Sequence, residues 1–349
     1  MPILNKDDKK EVERYNKYVR EAYGTNFMQD ISWGNIKKGW KREYVYTLKN
    51  GKINSAMSCL VKKLPKLNYS IIYVPRGPVC DIYDIQKIEN LLEEAKPLVK
   101  KYKAIMIKFD PEIKKDSKLY KMYTKSGFKI VSKQSKLIQA KYNMVINLED
   151  KTLDELLKSF ASKTRYNINY GIRKGVKTRY SNSEEDLKVF YKLYLEMCER
   201  KHIGAREYNY FKTLLNSFEK ENIRIYLSSF EGEDLTATIA INYAGTTHYL
   251  YGASGNKKRN LKASYSLQLE MIKWAIETKC KKYNLGGLLN PVDENGLFRF
   301  KVGFSGEEGV VEYIGEINKV YNKFMYFLYN FILPKFRYIV RKLKGFKTE

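Results

Sequence analysis

Two ionisable residues interrupt apolar runs, where a charge costs most. Asp110 ends the mostly apolar run 104–109 and precedes Pro111. A carboxylate there either faces a cleft or serves as a turn or cap residue. Lys301 follows Phe298-Arg299-Phe300 and precedes Val302-Gly303-Phe304. A cation among such side chains either snorkels to the surface or does electrostatic work. Other chemistries lack their residues. Only His202 and His248 are present, which argues against a histidine triad or a His-rich metal site. Cys59, Cys80, Cys198 and Cys280 are scattered without a C-x-x-C pair, so neither a zinc site nor a disulfide framework is expected and a reducing cytoplasm fits. No Walker loop, H-E-x-x-H or G-x-S-x-G motif occurs, and no metal is expected.

The elements that must position these residues fall into two sets. At 349 residues the chain exceeds one ordinary core, so two modules are expected. The net charge of +26, from 65 Lys+Arg against 39 Asp+Glu, gives a broad positive field. Its candidate partners are nucleic acid, phosphorylated precursors and acidic membranes, unless an AT-rich genome alone inflates the lysines. The polar stretch 1–10 has no apolar core of a signal peptide.

Tyr44, Tyr46 and Leu48 alternate before Asn50-Gly51, and a partly apolar run 53–60 follows, which predicts a hairpin. A strand over 71–74 stops at Pro75-Arg76-Gly77-Pro78; a helix over 88–99 and a buried strand over 104–109 come next. Thr152 and Glu155 form a capping box ahead of Leu153, Leu156, Leu157 and Phe160, and a further helix follows Ser183. Strands at 223–228, 235–243 and 247–251, a helix over 265–278 and a strand at 283–285 complete the second set. Each set reads strand, turn, helix, strand, which points to a duplication. The expected architecture is α/β, with mixed sheets flanked by helices. In the tail, Tyr321, Phe324, Met325, Leu328 and Tyr329 make an apolar stripe, Pro334 interrupts it, and a basic face follows. The apolar stretch 324–333 is too short for a membrane span. Segment 321–347 is expected either to pack on the first module or to touch anionic membrane.

Five segments, taken in order, carry a resemblance: Phe27-Met28-Gln29 with Ser32-Trp33-Gly34-Asn35-Ile36-Lys37, Tyr73-Val74-Pro75-Arg76-Gly77-Pro78, Lys163-Thr164-Arg165-Tyr166-Asn167-Ile168, Tyr249-Leu250-Tyr251-Gly252-Ala253-Ser254 and Phe300-Lys301-Val302-Gly303-Phe304. As an ordered set covering nearly the whole chain, they resemble the FemABX peptidoglycan aminoacyl-transferases. The resemblance implies two tandem GNAT-like (acyl-CoA N-acyltransferase fold) domains: 1–147 completed by 312–349, and 148–311. No heptad run lies between Tyr180 and Gly309, so the armless FemX-like type, without a coiled-coil arm, is expected.

The implied activity is tRNA-dependent transfer of Gly, Ala, Ser or Thr from aminoacyl-tRNA to the stem-peptide amine of lipid II or UDP-MurNAc-pentapeptide, building the interpeptide bridge. The resemblance makes Lys37, Arg206, Tyr210 and Tyr251 acceptor-binding, although Arg206 and Tyr210, four apart, would otherwise read as a solvated helix pair. It places Phe300 and Lys301 where the tetrahedral oxyanion forms, and gives Asp110 the part of general base. No cofactor is implied. A monomer in the cytoplasm, peripheral at the inner face of the membrane, is expected.

Two departures matter. Asn284 stands in Tyr283-Asn284-Leu285-Gly286-Gly287 where relatives often carry an acid. Lys262, in Arg259-Asn260-Leu261-Lys262-Ala263-Ser264, takes a glycine position of the coenzyme A cradle, which disfavours a CoA-dependent GNAT N-acetyltransferase. The other alternative is a non-enzymatic basic RNA-binding protein.

Overall fold

The computed structural model describes residues 2–22, 25–65, 67–288, 290–291 and 296–332. The chain divides into two compact units, Met1–Leu137 with Ile314–Glu349, and Ile138–Tyr313. The first boundary falls earlier than the expected 147, because the strand at Tyr142–Asn147 hydrogen-bonds within the second unit's sheet.

Unit 1 opens its sheet with β1 (Lys41–Lys49) and β2 (Lys52–Lys63), an antiparallel hairpin. Asn50 and Gly51 turn it at φ 51 and 74, the doubly left-handed turn that matches strand twist. β2 pairs antiparallel with β3 (Ser70–Val74), and β3 pairs parallel with β4 (Ala104–Phe109). A parallel pair needs a crossover. Helices Ile85–Glu94 and Lys96–Lys101 supply it, where the sequence predicted one helix; Ala95 is the junction and Pro97 starts the second. β5 (Lys129–Val131) reaches β4 only through the late strand Glu316–Val320, which lies antiparallel between them. That strand buries Ile317 beside Ile107 and Phe109, and sets Glu316 2.6 Å from Lys108 in a buried ion pair.

Unit 2 carries a seven-stranded sheet. β6 (Tyr142–Asn147) is followed in sequence by β7 (Lys177–Ser181), β8 (Ile223–Phe230), β9 (Glu233–Tyr243), β10 (Thr246–Ser254), β11 (Lys282–Leu288) and β12 (Val310–Glu312). Across the sheet they run β12, β6, β11, β10, β9, β8, β7. Only β10 and β11 are parallel, and the buried helix Ala263–Glu277 crosses between them. Each unit thus has one parallel pair joined by helical crossover and flanked by antiparallel strands, as the repeated pattern predicts. The chain enters unit 2 at β6, which pairs with β11, and after β12 returns to unit 1 at Glu316–Val320, which pairs with β4. Thr152 and Glu155 do form a capping box, and Ser183 caps the helix Glu184–Arg200. That 17-residue helix is the longest described, so the described residues hold no coiled-coil arm.

Of the tail, Met325 packs in unit 1 with Leu64, Ile71, Ile105 and Met106. Phe324 and Phe327 on the same helical segment are 69% and 52% exposed, so only one face of the stripe is used inside the unit. Pro334 and the basic face after it lie outside the described residues.

Candidate active site

In unit 2 the parallel pair comes apart. β10 and β11 are in register for only three residue pairs, ending at His248 with Asn284. Beyond that point β10 has a bulge between Tyr249 and Tyr251, and β11 shifts register between Asn284 and Gly287. Bulges bend strands and end pairing. Gly286 turns at φ 83, and its N–H donates to Asn284 Oδ1 at 2.8 Å. An amide oxygen therefore holds the glycine turn.

Lys301 reaches this split from the helix Gly296–Ser305. It is 4% exposed, and its Nζ donates to the Gly287 carbonyl at 2.8 Å. A Cβ added to Gly286 would sit 3.4 Å from the Tyr249 carbonyl oxygen and 3.7 Å from Lys301 Nζ, so lysine, carbonyl and glycine turn converge. No ion pair to Lys301 occurs among the described residues. Burial lowers its pKa to about 8, with Lys201 adding repulsion. The residue is buried, and snorkelling to solvent is not its solution. Phe300 stays half-buried, edge-on to Tyr265 at 4.9 Å and to Phe304 at 5.3 Å.

The lysine's helix is seated by a close approach. Gly303 accepts the Ala161 N–H at 2.9 Å, and a Cβ at Gly303 would lie 2.2 Å from Thr164 Oγ1. Two of the resembling segments, Lys163–Ile168 and Phe300–Phe304, therefore interlock.

Arg206, Tyr210 and Tyr251 come together in the same unit. Arg206 precedes the helix Tyr208–Ser217, so it is not an intrahelical partner of Tyr210. Its guanidinium carbon lies 4.6 Å from the Tyr210 ring centroid and 5.9 Å from that of Tyr251. The two phenol oxygens are 2.8 Å apart. Burial pushes the Tyr210 hydroxyl well above its ordinary range, so it stays a neutral donor. Arg206 is exposed and joins no ion pair among the described residues. A guanidinium held on two rings offers its remaining donors to an anion.

In unit 1, Asp110 is 3% exposed and committed on both oxygens: Tyr73 Oη donates to Oδ2 at 2.8 Å and the Arg76 N–H to Oδ1 at 2.7 Å. Burial raises its pKa to about 7 against the pull of Arg76. Gln29, fully buried, clasps the same turn: its Nε2 donates to the Pro75 carbonyl and its Oε1 accepts the Ser58 N–H at 2.8 Å. A Cβ on Gly77 would lie 2.4 Å from the Gln29 amide carbon, which explains that glycine. Asp110 is thus the turn-anchoring residue of its two sequence readings. Lys37 ends the helix Ile31–Ile36, its Nζ 3.9 Å from the Trp33 ring centroid.

The sequence reading missed Gly287, Thr164, Tyr73, Arg76 and Gln29 as partners of these groups. All but Gly287 stand inside the resembling segments, so segment membership was their signal; Gly287's is the adjacent Gly286-Gly287 pair itself.

A tandem GNAT protein from clavulanic acid biosynthesis, 9% identical, matches the fold with a TM-score of 0.55 over 91% of this chain and 97% of its own. The crystal structure of FemX matches with a TM-score of 0.83 at 24% identity, covering 91% and 98% of the two chains. The UDP-N-acetylmuramoylpentapeptide-lysine N(6)-alanyltransferase of Weissella viridescens is 32% identical over 339 residues, 93% of this chain and 98% of that protein. The lipid II:glycine glycyltransferase of Staphylococcus epidermidis is 28% identical over 411 positions, 95% of this chain and 98% of that protein. That alignment is longer than the 349 residues here, so the glycyltransferase carries segments this chain lacks. The model of the FemAB family matches residues 11–244 and 231–333, with the split strands and Lys301 inside the match, and the chain belongs to that family.

Proposed function

We propose that this chain is an aminoacyl-transferase that moves an amino acid from aminoacyl-tRNA to the stem-peptide amine of lipid II or UDP-MurNAc-pentapeptide. Its relatives' names supply the acceptor class, and the buried Lys301 at the split of β10 and β11 carries the chemistry. The acceptor amine attacks the ester carbonyl carbon, forming the C–N bond. The carbonyl oxygen becomes an oxyanion, which the Lys301 ammonium meets in a desolvated site where such a contact is strongest. Collapse breaks the C–O bond to the ribose. The amine's proton passes through water to the departing ribose oxygen. Phe300 walls this site. The ester is already activated, so no metal or coenzyme is needed. Asp110, with both oxygens engaged, anchors the turn 75–78 of unit 1 in this reading rather than acting as base.

Arg206, Tyr210 and Tyr251 hold the acceptor's phosphates in this reading. Arg206→Ala is expected to raise KM for the muramyl-peptide acceptor roughly tenfold or more, with kcat nearly unchanged, as for the loss of one charge-assisted contact. Steady-state kinetics over acceptor concentration checks it. Mass spectrometry of a muramyl-pentapeptide incubated with the enzyme and total charged tRNA tests the function itself. Product appearing with acetyl-coenzyme A and not with tRNA would overturn it.

Among the described residues no helix is long and apolar enough to cross a membrane. The exposed Phe324 and Phe327 support peripheral contact with an anionic bilayer, at the cytoplasmic face where lipid II is made. Phe324→Ser with Phe327→Ser is expected to cut co-sedimentation with phosphatidylglycerol vesicles at least about threefold, given the apolar area removed. Transfer to a soluble acceptor should stay unchanged.

A further inference from the structure

The helix Ser162–Arg173 packs one face inward, burying Thr164, Asn167, Ile168 and Gly171. Thr164 on that face meets Gly303, two residues from Lys301. The opposite face is a single stripe. Lys163, Tyr166, Tyr170 and Arg173 stand at spacings of three and four, which places them in line along a helix. Tyr166 is 57% exposed and its ring stacks on Tyr170, centroids 5.9 Å apart and planes 22° from parallel. Lys174 Nζ lies 5.8 Å from the Tyr170 centroid. From Leu156 to Ser183 the sequence has seven Lys and Arg and no Asp or Glu. Arg179 spends its charge on Asp186 and Asp234, whereas Lys163, Arg173 and Lys174 join no ion pair among the described residues.

A stacked aromatic pair, exposed at Tyr166 and half-buried at Tyr170, bracketed by unpaired cations is an arrangement that binds single-stranded nucleic acid: rings take the bases and cations the phosphates. A folded protein partner would want fewer lysines at its centre, since lysine is depleted in interface cores. We propose that the stripe Lys163–Tyr166–Tyr170–Arg173 is an RNA-binding surface that stacks unpaired nucleotides of the donor RNA and so delivers its ester to the Lys301 split. The proposal rests on the transferase reading for its donor, and it adds the RNA surface to it.

The test uses the full chain, a fluorescein-labelled single-stranded RNA dodecamer and total charged tRNA. Tyr166→Ala with Tyr170→Ala should weaken dodecamer binding in fluorescence anisotropy by about tenfold for each ring removed. Tyr166→Phe with Tyr170→Phe keeps the stacking faces and should bind as wild type. Lys163→Gln with Arg173→Gln should lower the slope of log affinity against log salt by about 1.4, two phosphate contacts at roughly 0.7 each for a single strand. In turnover assays, the alanine pair should raise KM for charged tRNA and leave KM for the muramyl-peptide unchanged. Wild-type affinity and tRNA KM in the alanine pair, with its melting temperature preserved, would overturn the stripe while leaving the transferase standing. If wild-type enzyme makes no product with any charged tRNA, the transferase reading falls and this proposal with it. Should the alanine pair melt lower, Tyr166→Ala alone, at the more exposed ring, decides by the same measurements.

Discussion

Lys301→Ala should lower kcat by roughly two to three orders of magnitude, the usual cost of removing one donor to a developing oxyanion, while KM for the muramyl-peptide changes by less than about threefold. The reason is where the charge sits. Lys301 is buried, bonded only to the Gly287 carbonyl among the described residues, and burial has brought its pKa to about 8. A protein gains nothing in stability from such a lysine. Its neutral form is favoured on folding, so the folded state gains stability as pH rises from about 8 toward the unfolded value near 10.4 and loses it as pH falls through about 8. Lys301→Met, which keeps the stem and removes the charge, is therefore expected to melt no lower than wild type and yet to be inactive. If the cation is the working form, kcat should also fall above about pH 8, and that limb should vanish from the residual activity of Lys301→Ala. Single-turnover rates over pH 6 to 10 would check both, and a Lys301→Ala enzyme with near-normal kcat would remove the lysine from the mechanism.

Local chemistry was legible wherever the sequence itself dictates it. The Asn50-Gly51 turn, the Thr152 capping box and the start of a helix after Ser183 follow from side chains acting on their own backbone. The membership of β6 in the second sheet was not legible at its true boundary, because strand partners are chosen by burial over long sequence separations and not by local pattern. The same distance hides the site. That Lys301 would find the Gly287 carbonyl, and that Gly303 would close on Thr164, depends on helix packing that spacing alone does not specify. Arg206 and Tyr210, four apart, invited a helical pair; the helix starts at Tyr208, and their contact is a cation resting on a ring.

Asp110→Ala should destabilise unit 1 by about 3 kcal/mol, the scale for removing a buried acceptor and orphaning its donors. Tyr73 Oη and the Arg76 N–H donate to this carboxylate, the Arg76 guanidinium donates to the Asp110 backbone carbonyl at 3.5 Å, and Arg76 holds a left-handed conformation at φ 51. Without Asp110 that turn loses the group that over-determines it. Urea denaturation measures the effect. A catalytic base predicts the reverse pattern, with stability kept and kcat lost, so the two roles separate cleanly on one variant. The pH dependence sharpens the division. With the folded pKa raised to about 7 from an unfolded value near 3.9, protonated Asp110 contributes stability that is fully present below about pH 3.9 and is lost as pH rises through about 7. Asp110→Asn cannot titrate, so its stability relative to wild type should improve steadily from pH 4 to 8. A flat difference across that range would mean that the carboxylate ionises at its ordinary pKa, and the buried anchor would no longer account for its place at the end of β4.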